Sequence, residues 1–173
     1  ALYKGGGKNK NITKKKRRMK GGSVKDLIDA VNNGDYDRTN ELLEQGYDAN
    51  IKRDGRTLLI RACFVLHEFS ESYDIIELLL KHGANINDTD SFGNTPLRYL
   101  SIIPDDEVEP LDTKTILFLL ENGADPYIKN KAGESALNEP TKHGNFELVK
   151  FIEDYIKTYS SKQRLAFAKT ELP

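Results

Sequence analysis

Three histidines, one cysteine and a carboxylate-rich segment are the residues with the chemistry to catalyse a reaction or hold a metal. His67, His82 and His143 are widely spaced, and catalysis needs a nucleophile and a base converging in a pocket. His82 sits in a Lys-His-Gly helix end, where polar residues are ordinary. Cys63 follows Ala62 and reads as a small packed apolar residue. PDDEVEP, Pro104 to Pro110, holds four carboxylates, and Asp112 follows. They would attract a basic partner or a cation, but a hard cation wants several oxygens meeting at one point, and this spacing matches no such loop. A solvated loop is the expectation. NDTDSFGN places Asp88, Asp90 and Gly93 as a calcium loop would, yet Phe92 stands where an oxygen ligand belongs and Tyr99 replaces the bidentate glutamate. GGGKNK has neither the spacing nor the flanking strand and helix of a phosphate loop. No enzyme activity, cofactor, metal or small-molecule substrate is expected.

The cationic chemistry is denser. Lys14, Lys15, Lys16, Arg17 and Arg18 form a block with Lys20. Three readings stand. It is a nuclear-import address, an arm for nucleic-acid phosphates, or only a solubilising tail or a remnant between domains. No aromatic residue is interleaved with it, so base stacking has no support. Residues 1–22 carry nine basic and no acidic residues, leaving 17 basic against 27 acidic in the remainder, a net of −10. A basic arm on an acidic body is the result, and the arm holds too little apolar surface to fold. ALYKGGG at its start is read as a processing scar, and the sequon at Asn11 as chance.

The 173 residues suit one domain. Apolar residues at 38% and charged residues at 31% suit a surface-rich fold better than one thick core. No apolar run approaches the roughly 20 residues that cross a bilayer. A single cysteine forms no internal disulfide. An intracellular location, cytoplasmic or nuclear, with no membrane partner, is the expectation.

The elements that position these residues recur. In GNTPLRYL, Gly93 can close a tight turn, Thr95 can cap the first orphan N–H groups, and Pro96 fits the first helical position. Leu97 and Leu100 then share a face. DGRTLLIRA, from Asp54, repeats the pattern with Leu58 for the proline, and AGESALNEP, from Ala132, repeats it with Ser135 as cap. Gly55, Gly93 and Gly133 are 38 and 40 residues apart. Before each lies a helix end with its glycine: LLEQGYDAN, LLKHGANIN and LLENGADPY.

This chain resembles the ankyrin repeat family over roughly Ser23 to Ile156, on Thr95-Pro96-Leu97, Ile75 to Leu80, Gly83-Ala84-Asn85 and Gly123-Ala124-Asp125. The resemblance implies an all-α solenoid of about four helix-turn-helix units with short β-turn tips. It would occupy residues 23–158, between the disordered arm 1–22 and a tail 159–173 with one short helix around Arg164 to Ala168. The repeats exceed the family's 33 residues by about five and about seven. The extra residues lie in Cys63 to Asp74 and Ile102 to Asp112. The family's histidine is replaced by Ile60, Arg98 and Asn138. Pro140 should shorten or kink the last first-helix. Glu153 gives the end unit the polar outer face a cap needs. By the same resemblance His143 is a link residue, and Asn50 and Asn87 stand where family members can be hydroxylated.

The resemblance further implies that function is recognition of another protein, through the turn tips and the concave face. The matching positions are Arg53, Asp54 and Arg56; Ser91, Phe92 and Asn94; and Lys131, Ala132 and Glu134. Phe92 is either a binding anchor or folded back on its neighbours. Phe64, Val65, Ile102 and Ile103 either line an apolar groove or are buried as the first helices run on, and burial is expected. Asn, Lys, Ile and Tyr usage with irregular loops resembles ankyrin repeats of large DNA viruses, which implies an adaptor or decoy for a host protein. The alternatives are a nuclear or nucleic-acid-associated protein led by the basic arm, and a regulatory domain of a larger enzyme.

Overall fold

The computed structural model describes residues 21–65, 72–102, 113–142 and 144–170. The basic arm through Lys20, the acidic loop from Pro104 to Asp112, His67 and His143 lie outside them.

Among the described residues, eight helices come in four pairs: α1 (Val24–Asn32) with α2 (Tyr36–Glu44), α3 (Leu58–Val65) with α4 (Ser72–Lys81), α5 (Pro96–Ser101) with α6 (Thr113–Glu121), and α7 (Asn138–Lys142) with α8 (Phe146–Thr170). The first helices α1, α3 and α5 pack in one row, and α2 packs on α4 in a second. Leu27, Leu42, Leu59, Ile75, Ile76, Leu97, Ile116, Leu119 and Ile152 fill one continuous core between the rows. Each pair alone is too thin to bury its apolar face, so the stack itself is the hydrophobic structure.

Helix ends follow the local chemistry of the chain. Ser23 and Asp26 form a reciprocal capping box on α1, and Asp35 caps α2 through the Arg38 N–H. Thr57 Oγ1 accepts the Ile60 N–H at 3.2 Å, and Thr95 Oγ1 accepts the Arg98 N–H at 3.2 Å. The second helices of the first three pairs close alike. Gly46, Gly83 and Gly123 have φ of 93°, 83° and 93°, and each glycine N–H donates to a leucine carbonyl three residues back. The next N–H reaches the carbonyl five back, as from Ala84 to Leu79 at 2.9 Å. These paired bonds satisfy carbonyls the helix leaves open and demand a left-handed residue, hence glycine.

Three expectations are corrected. Ser135 is not the cap of a helix beginning beside it. α7 starts at Asn138, because Pro140 can only occupy a first turn, where no N–H is needed. Asn138 Oδ1 instead accepts from the Ser135 N–H at 2.6 Å. α8 passes through Thr158 without a break to Thr170, so the short tail helix near Arg164 is the end of α8. α5 stops at Ser101, with Ile102 extended. Ile102 is therefore not carried on into the helix and is 37% exposed, so its expected burial is corrected. Ile103 lies outside the described residues.

Candidate partner-binding site

Among the described residues, three β-turn fingers join the pairs along one edge. The first is the antiparallel hairpin β1 (Lys52–Arg53) and β2 (Arg56–Thr57), with Asp54 and Gly55 at its tip in left-handed backbone. In the second, the Asp90 N–H donates to Asn94 O at 3.0 Å; in the third, the Asn130 N–H donates to Glu134 O at 2.8 Å. Successive fingers are also hydrogen-bonded to each other. The Ser91 N–H meets Gly55 O at 2.9 Å, and the Lys131 N–H meets Phe92 O at 2.9 Å.

Side chains lock this row. Asn50 and Asn87 each bridge to the following unit. Asn50 donates Nδ2–H to Gly83 O at 2.9 Å and accepts the Asn85 N–H at 2.8 Å; Asn87 does the same with Gly123 O and the Asp125 N–H at 3.0 and 2.9 Å. Asp90 Oδ1 accepts the Phe92 and Asn94 N–H groups, both at 2.8 Å, and Asn130 Oδ1 accepts those of Ala132 and Glu134, both at 2.9 Å. Arg98, 6% exposed where the family has histidine, reaches the next finger instead, donating Nη2–H to Glu134 Oε2 at 2.7 Å. Lys142 takes the other Glu134 oxygen. Lys142 and the other donors hold the Glu134 carboxyl below its usual range.

Asp90 is the electrostatic centre of the second finger. Burial opposes its ionisation, but the Tyr99 hydroxyl at 2.7 Å and donors from Asn94 and Phe92 outweigh that and hold its pKa below the ordinary aspartate value. A depressed pKa contributes stability that is fully present above the unfolded value near 4 and is lost as pH falls through the folded value. Asp90→Ala should therefore cost about 2 kcal/mol at pH 7, and Asp90→Asn about half that, since Asn130 makes the same two backbone contacts. Urea midpoints at pH 7 and pH 3 check this: the gap from wild type should narrow at pH 3.

The candidate residues divide by what holds them. Asn94 and Glu134 spend their side chains on the row, since Asn94 bonds Asp90 and Asn130 and Glu134 bonds Arg98. Asp54, its side chain 82% exposed, lies 3.7 Å from Arg61 Nη2, which also donates to Arg53 O at 2.7 Å. Arg53, Ser91, Lys131 and Ala132 are exposed, as are Lys52 and Lys129 beside them. Phe92 is 68% exposed. It points into solvent rather than back on the fold.

Phe64 and Tyr99 belong to this face although the sequence reading did not place them there. Val65 is buried as expected, but Phe64 is 52% exposed, so its expected burial is corrected. Its ring meets Tyr99 edge-on at 6.2 Å, and the Arg56 guanidinium lies over both rings, 4.9 Å from Phe64 and 5.8 Å from Tyr99. The local pattern holds no signal for it, because the neighbours of the Phe64 ring come from the first finger and from the following unit. Elsewhere, the Cys63 thiol is buried and pushed up by that burial, so it stays protonated. His82 Nε2 lies 3.7 Å from Glu44. Among the described residues no three metal-ligating side chains cluster, and no helix is long and apolar enough to cross a membrane.

Paired helices stacked in two rows, joined by hydrogen-bonded β-turn fingers, define an ankyrin repeat solenoid. The chain carries ankyrin repeats: a family model described as ankyrin repeats in three copies matches residues 27–106. It is 28% identical over 131 residues to an ankyrin repeat and KH domain-containing protein of Caenorhabditis elegans, covering 76% of this chain and 5% of that protein. Two ankyrin repeat proteins of Acanthamoeba polyphaga mimivirus are also similar. One is 32% identical over 55% of this chain and 60% of its own length. The other is 34% identical over 69% of this chain and 37% of its own length. The chain thus spans between 5% and 60% of these relatives. Ankyrin repeats are, as a class, protein-interaction modules.

Proposed function

We propose that this chain recognises a partner protein through its finger tips and the adjoining concave side, and has no catalytic role of its own. The observation that carries the reading is the finger row. Inter-unit hydrogen bonds tie it together while Phe92 stands in solvent on a row that also exposes Arg53 and Lys131. An apolar residue fixed in solvent is an anchor waiting for a pocket, and a rigid frame lowers the entropy cost of binding. The mimivirus relatives support a host-cell protein as that partner, with the chain as adaptor or decoy. The lone buried thiol and the absence of a long apolar run support an intracellular site of action.

The test is affinity capture by the full chain, read by mass spectrometry against the Phe92→Ala/Arg56→Glu variant. A partner held by wild type and lost by the variant is expected. A partner kept by both places recognition elsewhere on the stack, and nucleic acid held through residues 1–22 alone hands the function to the basic arm.

A further inference from the structure

The charges of the finger row are not a sample of the whole body. The chain beyond residue 22 is strongly acidic, yet Lys52, Arg53, Lys129 and Lys131 are exposed around the fingers and Arg56 stands half-buried among them. Local acids are already engaged. Asp90 takes the Tyr99 hydroxyl and two backbone N–H groups, Glu134 takes Arg98 and Lys142, and Asp54 faces Arg61. Among the described residues, Arg56 has no carboxylate within ion-pair distance.

Arg56 is nevertheless held in place. Its guanidinium rests on Phe64 and Tyr99, and the Tyr99 ring is itself fixed by its hydroxyl bond to Asp90 at 2.7 Å. A guanidinium held against two aromatic rings has already given up much of its side-chain freedom, so it loses less when a carboxylate arrives. Phe92 is exposed one residue from Ser91, whose N–H bonds the first finger at Gly55. A guanidinium with no carboxylate partner among the described residues and an exposed aromatic ring therefore stand on neighbouring fingers.

We propose, resting on the protein-recognition reading above, that the partner docks an acidic segment here, with a carboxylate on Arg56 and an aliphatic or aromatic side chain against Phe92. Arg53 and Lys131 supply the surrounding positive field and raise the association rate. A protein segment fits this face better than a nucleic acid. The acidic body repels a long polyanion, whereas a short segment meets only the local positive patch.

The test uses fluorescence anisotropy with the full chain and three labelled probes. These are a twelve-residue peptide of Asp and Glu with leucines interspersed, the same peptide with Asn and Gln for the acids, and a twelve-nucleotide oligothymidylate. The acidic peptide should bind, and Arg56→Glu should weaken it about tenfold or more. Arg56→Lys keeps the charge but loses the fork, and should weaken it by roughly fivefold. Phe92→Ala should cost about fivefold to tenfold. Lys150→Glu, on α8, should change it less than about twofold. Thermal melts establish that each variant is folded, and any attraction of the probe to residues 1–22 is common to all of them. The absence of saturable, Arg56-dependent binding up to about 1 mM overturns the proposal, as does an oligothymidylate that binds more tightly than the peptide and depends on Arg56. If the neutral peptide binds as well as the acidic one and still needs Phe92, the recognition face stands and only the acidic partner fails. If no finger variant changes any binding, both fail.

Discussion

Leu97→Ala should lower stability by about 3 kcal/mol, the range for removing a fully buried leucine from a packed core. Leu97 is fully buried, on a helix of six residues that packs against both α3 and α6. A helix that short contributes little of its own and holds only through such contacts. The loss also falls at the junction of the second and third units. In a solenoid each unit is stabilised by its neighbours, so weakening a central junction divides the stack. Urea unfolding followed by far-UV circular dichroism should show a lower midpoint and a broadened or two-step transition. Val24→Ala, at an exposed position, should shift the midpoint within about 0.5 kcal/mol. Equal effects of the two substitutions would mean that α5 is not held by the core described here.

Gly93→Val should be the second large loss, about 3 kcal/mol, and it acts through the backbone. Gly93 has φ of 85°, where a β-branched residue is strongly disfavoured. A Cβ there would stand 3.1 Å from Asn130 Cα and 3.2 Å from Lys131 N, and backbone atoms cannot swing aside as a side chain would. Relief requires the second and third fingers to part, which breaks the bond from the Lys131 N–H to Phe92 O at 2.9 Å. Hydrogen exchange should report this directly: the Lys131 amide loses protection while the amides of α1 keep theirs. Gly133→Val makes a sharp comparison. Its φ of 80° carries the same backbone strain, but a Cβ there meets nothing within 4 Å, so it should cost less.

Much of this fold was legible in the sequence because the information is local. A threonine, a proline and two leucines at fixed offsets begin a helix at Pro96 for reasons contained in those residues, and the glycines after the leucine pairs end helices for reasons equally close. The parts that were not legible depend on residues far apart in the chain. Arg98 reads as an irregular substitution until its partner Glu134 is seen 36 residues on. Asn94 and Glu134 read as free tip residues, because the sequence does not show that one finger's side chains bond the next. Phe64 reads as core by type. It is 52% exposed instead, in contact with Arg56 of the first finger and Tyr99 of the following unit. The face that best suits a partner is thus assembled from three separate stretches: the first finger, the end of α3, and the second finger with α5.

The most direct test of the central claim is hydrogen exchange of the full chain, free and bound to the partner obtained by capture. Contact on the finger face predicts slowed exchange at residues 52–57, 90–94 and 130–134, with the amides of α2, α4 and α8 unchanged. Protection confined to α2, α4 and α8, with the fingers exchanging as before, would contradict it.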